Sequence, residues 1–178
     1  RDFVVIAPVL GAFTQSMLEM ALLRKLRVVV SGIGAAGLLP FLPYLYALVI
    51  NTGEADALCE RLGLDDHAAL AVYMPHTLLY VTSGSSGSSV YVGREREAIA
   101  PVPPARFVDP TGAGDSYTAG VVTALLRGFD PSSAGLVGAA NASFVVEAFG
   151  AQSNLPSWEQ IEARLATLGL ILHINESE

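Results

Sequence analysis

Residues 109–120 read DPTGAGDSYTAG, two acids around a run of small residues in front of a stretch with helical character. Gly112 and Gly114 can take backbone angles closed to other residues, so the chain can turn sharply here and expose its amides. A helix that begins at such a turn has unpaired amide hydrogens and a partial positive charge at its N-terminus. TGAGD delivers the amides of Ala113, Gly114 and Asp115 to that end, which makes an anion hole. Asp115 has no basic partner nearby in sequence. It can act as a general base on a hydroxyl while the amides hold a transferring phosphoryl group. The bland alternative is that Asp115 only favours the helix dipole and the glycines only make a turn.

Two better-known phosphate loops are excluded by composition. A Walker loop needs a lysine after its second glycine, and Lys25 is the one lysine of the chain. A dinucleotide fold needs G-x-G-x-x-G after its first strand, and none stands there.

Outward from this stretch, strands and helices alternate. The pattern predicts a strand at Phe3 to Ile6, a helix from about Met17 to Lys25 and an apolar strand at Arg27 to Ser31, one β-α-β unit. A strand at Leu48 to Ile50, a helix from Glu54 to about Leu62 and a helix capped by Asp65 follow. Leu78 to Thr82 and Ser89 to Val92 flank SGSSGS and predict two strands around a glycine turn.

The remainder reads as largely helical. Val121, Val122, Leu125 and Leu126 are expected on the inward face of the helix behind Asp115, with Gly128 ending it. Asp130 before Pro131 caps a helix expected to run to about Gly150, and Ser157 with Gln160 forms a capping box. Together these features predict a three-layer α/β/α sandwich with a mostly parallel sheet, in a single domain. Such folds bind ligands beyond the carboxyl ends of their strands, and both glycine motifs follow strands.

Composition narrows the function. The chain has 178 residues, 52% hydrophobic and 15% charged, which excludes disorder. A net charge of -7 offers no basic face, so no nucleic-acid partner is expected. Cys59 reads as a buried inert thiol, and the three histidines are not spaced as zinc ligands. Gly32 to Ile50 is uncharged, but Pro40, Pro43 and three glycines break it, so a buried loop and strand is expected rather than a membrane span. With no secretion signal visible, the expected location is cytoplasmic.

DPTGAGDSYTAG closely resembles the C-terminal signature of the ribokinase-like (PfkB) carbohydrate kinases. N-T-G-E at Asn51 to Glu54 resembles the family's N-x-x-E motif, and T-S-G-S-S-G at Thr82 to Gly87 resembles its nucleotide loop, in the family's order. The resemblance implies ATP-dependent phosphoryl transfer to a small-molecule hydroxyl, with a sugar ahead of a nucleoside as acceptor. Asp115 is then the base, and Gly112, Ala113, Gly114 and Asp115 supply the anion hole. Asn51 and Glu54 help place Mg-ATP, Glu54 through metal-bound water, and Thr82, Gly84 and Gly87 approach the nucleotide. Asp109, Thr111 and Gly150 would hold a monovalent cation such as K+, with Ser153 or Asn154 completing the site. Asn141 could face the adenine, although a polar residue on a solvent face explains it as well.

By this resemblance the chain corresponds to the C-terminal part of such a kinase domain. The glycine pair and small β-sheet lid that hold the acceptor are expected to lie outside it, and the segment Gly32 to Pro43 looks short for the family. A sheet truncated in that way would expose apolar surface and favour a homodimer or another partner chain. The rival reading is a non-catalytic nucleotide-binding or assembly protein that retains the fold.

Overall fold

A computed structural model describes residues 2–7, 11–32 and 36–175. Its strands form one six-stranded sheet in the order β1-β2-β3-β4-β5-β6. The strands are β1 (Phe3–Ile6), β2 (Arg27–Ser31), β3 (Ala47–Asn51), β4 (Leu78–Thr82), β5 (Ser88–Val92) and β6 (Glu95–Ile99). The helices are α1 (Ala12–Leu23), α2 (Thr52–Leu62), α3 (His67–Tyr73), α4 (Ala113–Leu126), α5 (Pro131–Val145) and α6 (Trp158–Thr167). The chain divides into two compact units, Arg1–Thr82 with Val90–Glu97, and Ser83–Ser89 with Ala98–Glu178.

The first unit carries the parallel part of the sheet. Neighbouring pairs β1-β2, β2-β3 and β3-β4 are all parallel, with Asn51 of β3 in register with Thr82 of β4. Helical crossovers separate these strands, as parallel pairing requires. Val28, Val29 and Val30 are all buried, so β2 is covered on both faces. On one face Leu18 and Ala21 of α1, Leu58 of α2 and Leu70 of α3 pack with Leu48, Ile50, Leu79 and Val81. The uncharged stretch expected as a buried loop and strand contains a 3-10 segment, Ala36–Tyr44, before β3. Among the described residues no helix is long and apolar enough to cross a membrane.

Three boundaries differ from the expectations. Helix α1 begins at Ala12, five residues before Met17, at Gly11, which makes no side-chain cap. Helix α3 is capped by Asp66, whose side chain accepts from the Ala69 amide, and not by Asp65. Strand β6 was not expected at all, because Glu95, Arg96 and Glu97 face solvent and lack an apolar alternation. The two-residue link Gly93-Arg94 turns it back beside β5 as a hairpin.

The second unit is built on the pair α4 and α5. A Cβ at Gly120 would stand 2.8 Å from the Cα of Gly138, and a Cβ at Gly138 would stand 2.8 Å from the carbonyl oxygen of Tyr117. Glycine at both positions lets the two backbones touch. Val121, Val122 and Leu125 face inward as expected, whereas Leu126 is 57% exposed because it lies one step round the helix from Leu125. Helix α5 stops at Val145 and does not reach Gly150. The Val146 carbonyl that would receive the Gly150 amide accepts instead from the amides of Val108 and Asp109, while the Gly150 amide donates to Asp109 Oδ2 at 2.9 Å.

Candidate active site

In the second unit, helix α4 starts at Gly112, whose φ of 82° is a left-handed conformation that favours glycine. A Cβ there would stand 2.5 Å from the Cβ of Ala151 and 2.7 Å from its Cα, so Gly112 also lets the turn press against the chain after α5. No side chain caps the helix. The Ala113 amide donates to the Pro110 carbonyl at 3.1 Å. The expected set of amide donors is thereby corrected: Ala113 serves the turn. The amides of Gly114 and Asp115 find no acceptor among the described residues, as the opening turn of a helix dictates.

Gly114 is exposed, and a Cβ built on it would meet nothing within 4 Å. Asp115 beside it is exposed and, among the described residues, takes part in no hydrogen bond or ion pair. A carboxylate and two unspent amides thus stand together on open surface at a positive helix end, able to hold an anion and accept a proton.

The turn is clamped from its N-terminal side by Asp109. Its Oδ1 accepts from the Thr111 amide at 2.9 Å and the Thr111 hydroxyl at 2.6 Å. These bonds, the Thr111 hydroxyl foremost and then the Gly150 and Thr111 amides, hold the Asp109 carboxyl below the usual carboxylate range. The structure therefore brings Asp109, Thr111 and Gly150 together as expected. Of the two further residues, Ser153 donates its hydroxyl to the Phe149 carbonyl, and Asn154 Nδ2 donates to the Phe144 carbonyl at 2.7 Å.

Glycines of the loop after β4 belong to the same unit. Gly84 is exposed with φ of 57° and open space at its Cβ position, whereas Gly87 is buried with φ of 90°, and a Cβ there would stand 2.5 Å from the Ile99 carbonyl oxygen. Next to Gly87, Ser88 Oγ lies 2.8 Å from the hydroxyl of Tyr117 on α4, in a buried pair. Burial pushes the Tyr117 phenol far above its ordinary pKa, with the Ser88 bond acting the other way, so it stays protonated. Sequence reasoning missed this pair, whose signal is a tyrosine two residues past Asp115 on the face that also carries Gly120.

Asn141 is corrected. It is 8% exposed rather than on a solvent face, and its Nδ2 donates to the Ser116 carbonyl at 2.7 Å, joining α5 to α4. Its amide nitrogen is committed there.

In the first unit, Asn51 and Glu54 form a reciprocal capping box at the carboxyl end of β3. Asn51 Oδ1 accepts from the Glu54 amide, and Glu54 Oε2 accepts from the Asn51 amide, both at 2.9 Å. Glu54 Oε1 lies outside the box. Thr82 ends the adjoining strand, with its Oγ1 3.4 Å from the Ile50 carbonyl and its own carbonyl accepting from Thr52 Oγ1 at 3.2 Å. The three residues thus cluster at the ends of two parallel strands, where such sheets bind ligands.

The chain belongs to the pfkB family of carbohydrate kinases, whose description matches residues 11–158. It is 49% identical over 87 residues to a nucleoside kinase of Methanocaldococcus jannaschii, a match covering 49% of this chain and 29% of that protein. It is 34% identical over 119 residues to a ribokinase of Bacillus subtilis, covering 67% of this chain and 39% of that protein. Among solved structures, that of the Methanocaldococcus jannaschii nucleoside kinase, described as an archaeal member of the ribokinase family, superposes with a TM-score of 0.83 at 33% identity. It covers 93% of this chain and 56% of that one. The chain thus spans little more than half the length of that relative, and its fold is ribokinase-like, as expected.

Proposed function

We propose that this chain carries the nucleotide and phosphoryl-transfer side of an ATP-dependent kinase acting on a hydroxyl of a small molecule. One observation carries the reading: at the start of α4 an exposed, unpaired Asp115 stands beside two amides with no acceptor, around a glycine whose missing Cβ leaves open space. Asp115 takes the proton from the acceptor hydroxyl, and the amides of Gly114 and Asp115, shaped by the Gly112 turn, neutralise the charge that builds on the transferred group. Such transfer needs positioning and electrostatics more than covalent chemistry, which is what the site supplies.

The higher identity to a nucleoside kinase than to a ribokinase moves the preferred acceptor from a sugar to a nucleoside. Asn51, Glu54, Thr82 and Gly84 lie on the nucleotide side. A magnesium ion keeps most of its waters and needs only one or two carboxylates besides phosphate oxygens, which suits the spare Oε1 of Glu54. Asp109 fits a monovalent cation, because it stays ionised and its Oδ2, which accepts only the Gly150 amide, keeps a lone pair, while both lone pairs of Oδ1 serve Thr111. Asp109, with Thr111 and Gly150, would hold it.

The test is Asp115→Asn in the full-length protein, with transfer from ATP to nucleosides and sugars measured alongside ATP binding. The expected loss in kcat is about 10²–10⁴-fold, with ATP affinity retained. Full activity in the variant would remove Asp115 from the role of base. The same substitution without any effect on a protein that transfers nothing would support an assembly role.

A further inference from the structure

The segment that leads into the anion hole is hung on the end of α5 and, through it, on α6. Glu147, just past α5, is 9% exposed. Its Oε1 accepts from the Ala105 amide at 2.7 Å and from Arg164 Nη1 of α6 at 2.9 Å. Backbone contacts continue the ladder. Arg106 Nε donates to the Glu147 carbonyl at 3.0 Å, and the Val108 and Asp109 amides donate to the Val146 carbonyl at 2.8 and 3.2 Å. Asp109 then closes it by accepting from the Gly150 amide.

Arg164 is fixed as firmly as its partner. Its guanidinium lies 3.3 Å from the Phe144 ring centroid, and Nη1 also donates to the Ser143 hydroxyl at 2.8 Å. The two side chains of the ion pair are only 16% and 12% exposed. Burying such a pair incurs a desolvation penalty that apolar side chains of the same size would avoid, so stability alone does not account for it. A pair that acts on geometry does.

We infer that the Glu147–Arg164 pair positions the anion hole: Arg164 holds Glu147, Glu147 holds the segment from Ala105 to Asp109, and that segment sets where Gly114 and Asp115 stand. Both are positioning residues, and the consequence for transfer rests on the kinase reading of Asp115. Removing the charge from Glu147 should leave substrate binding in place and misalign the reacting groups.

The experiment uses the full-length protein with Glu147→Gln, which keeps the size and an acceptor for Ala105, and Arg164→Lys, which keeps the charge without the planar fork. Hydrogen exchange is followed at the amides of Val108, Asp109, Thr111 and Gly150, beside kcat and the KM for ATP. The expected result for Glu147→Gln is exchange at those four amides faster by about tenfold while mid-α4 amides are unchanged. With it, kcat falls about tenfold or more and KM stays within about twofold. Arg164→Lys should show the same pattern in milder form, and it carries both readouts if Glu147→Gln does not fold. Wild-type exchange at the four amides, exchange raised evenly across the unit, or an unchanged kcat would each overturn the inference. Absence of transfer in the wild-type protein would overturn the kinase reading instead, and exchange at the four amides would still decide whether the pair fixes this loop.

Discussion

The two glycine stretches of the second unit, Ser83 to Gly87 and Thr111 to Asp115, look alike in sequence and differ in what their glycines are for. Each has one glycine that the backbone demands. Gly87 and Gly112 both have positive φ and both occupy space that a Cβ would overlap, against the Ile99 carbonyl and Ala151 respectively. The second glycine of each stretch meets nothing, but Gly84 still needs its positive φ of 57°, whereas Gly114 lies inside α4, where any residue could stand. Gly114 is the one glycine of the four that the fold does not require. A glycine that packing and backbone leave unexplained points to something that approaches from outside, here the group held by the anion hole.

That contrast can be broken by substitution, with unfolding followed by heat or denaturant. Gly112→Ala and Gly87→Ala should be the most damaging, at about 2–5 kcal/mol each, since each adds left-handed strain to an overlap with backbone or a fixed methyl. Gly84→Ala should lose about 1–2 kcal/mol from its backbone alone. Gly114→Ala should lose nothing in stability, since its backbone is helical and a Cβ there meets no atom, while transfer to the acceptor falls. A stable Gly112→Ala, or a fully active Gly114→Ala, would erase the distinction.

Acid gives the smallest effect. The depressed folded-state pKa of Asp109 means that its clamp contributes stability above the unfolded carboxyl pKa of about 3.9 and loses it as pH falls through the lower folded value. Exchange at the Gly150 amide should therefore accelerate, beyond the general trend, only at the acid end. Asp109→Asn should remove that pH dependence.

Much of this was legible in the residues. The parallel strands β1, β2 and β4 stand at their expected bounds because an apolar run closed by a turn leaves little choice. The α4 turn was legible because glycine spacing and a following acid have few structural meanings. The end of α5 was not, since there the Glu147 amide turns to the Phe144 carbonyl and the Val146 carbonyl is taken by the Val108 and Asp109 amides from 38 and 37 residues back along the chain. Nor could spacing reveal that Ala113 would lose its amide to Pro110, or that Asn141 would turn inward to Ser116. Each depends on which of several acceptors lies nearest in space. β6 escaped for the opposite reason, since its first residues are charged and exposed and show no apolar alternation.

Strand order equal to chain order has a bearing on how the protein is made. Each strand from β2 to β6 is laid against the one synthesised just before it, so no later strand must be threaded between two already paired. A growing chain can extend its sheet one edge at a time as it leaves the ribosome, with a helical crossover formed between each pair of parallel strands. The last described strand, β6, exposes Glu95, Arg96 and Glu97, on both of its faces. The charged border it presents discourages a neighbouring nascent chain from pairing with it.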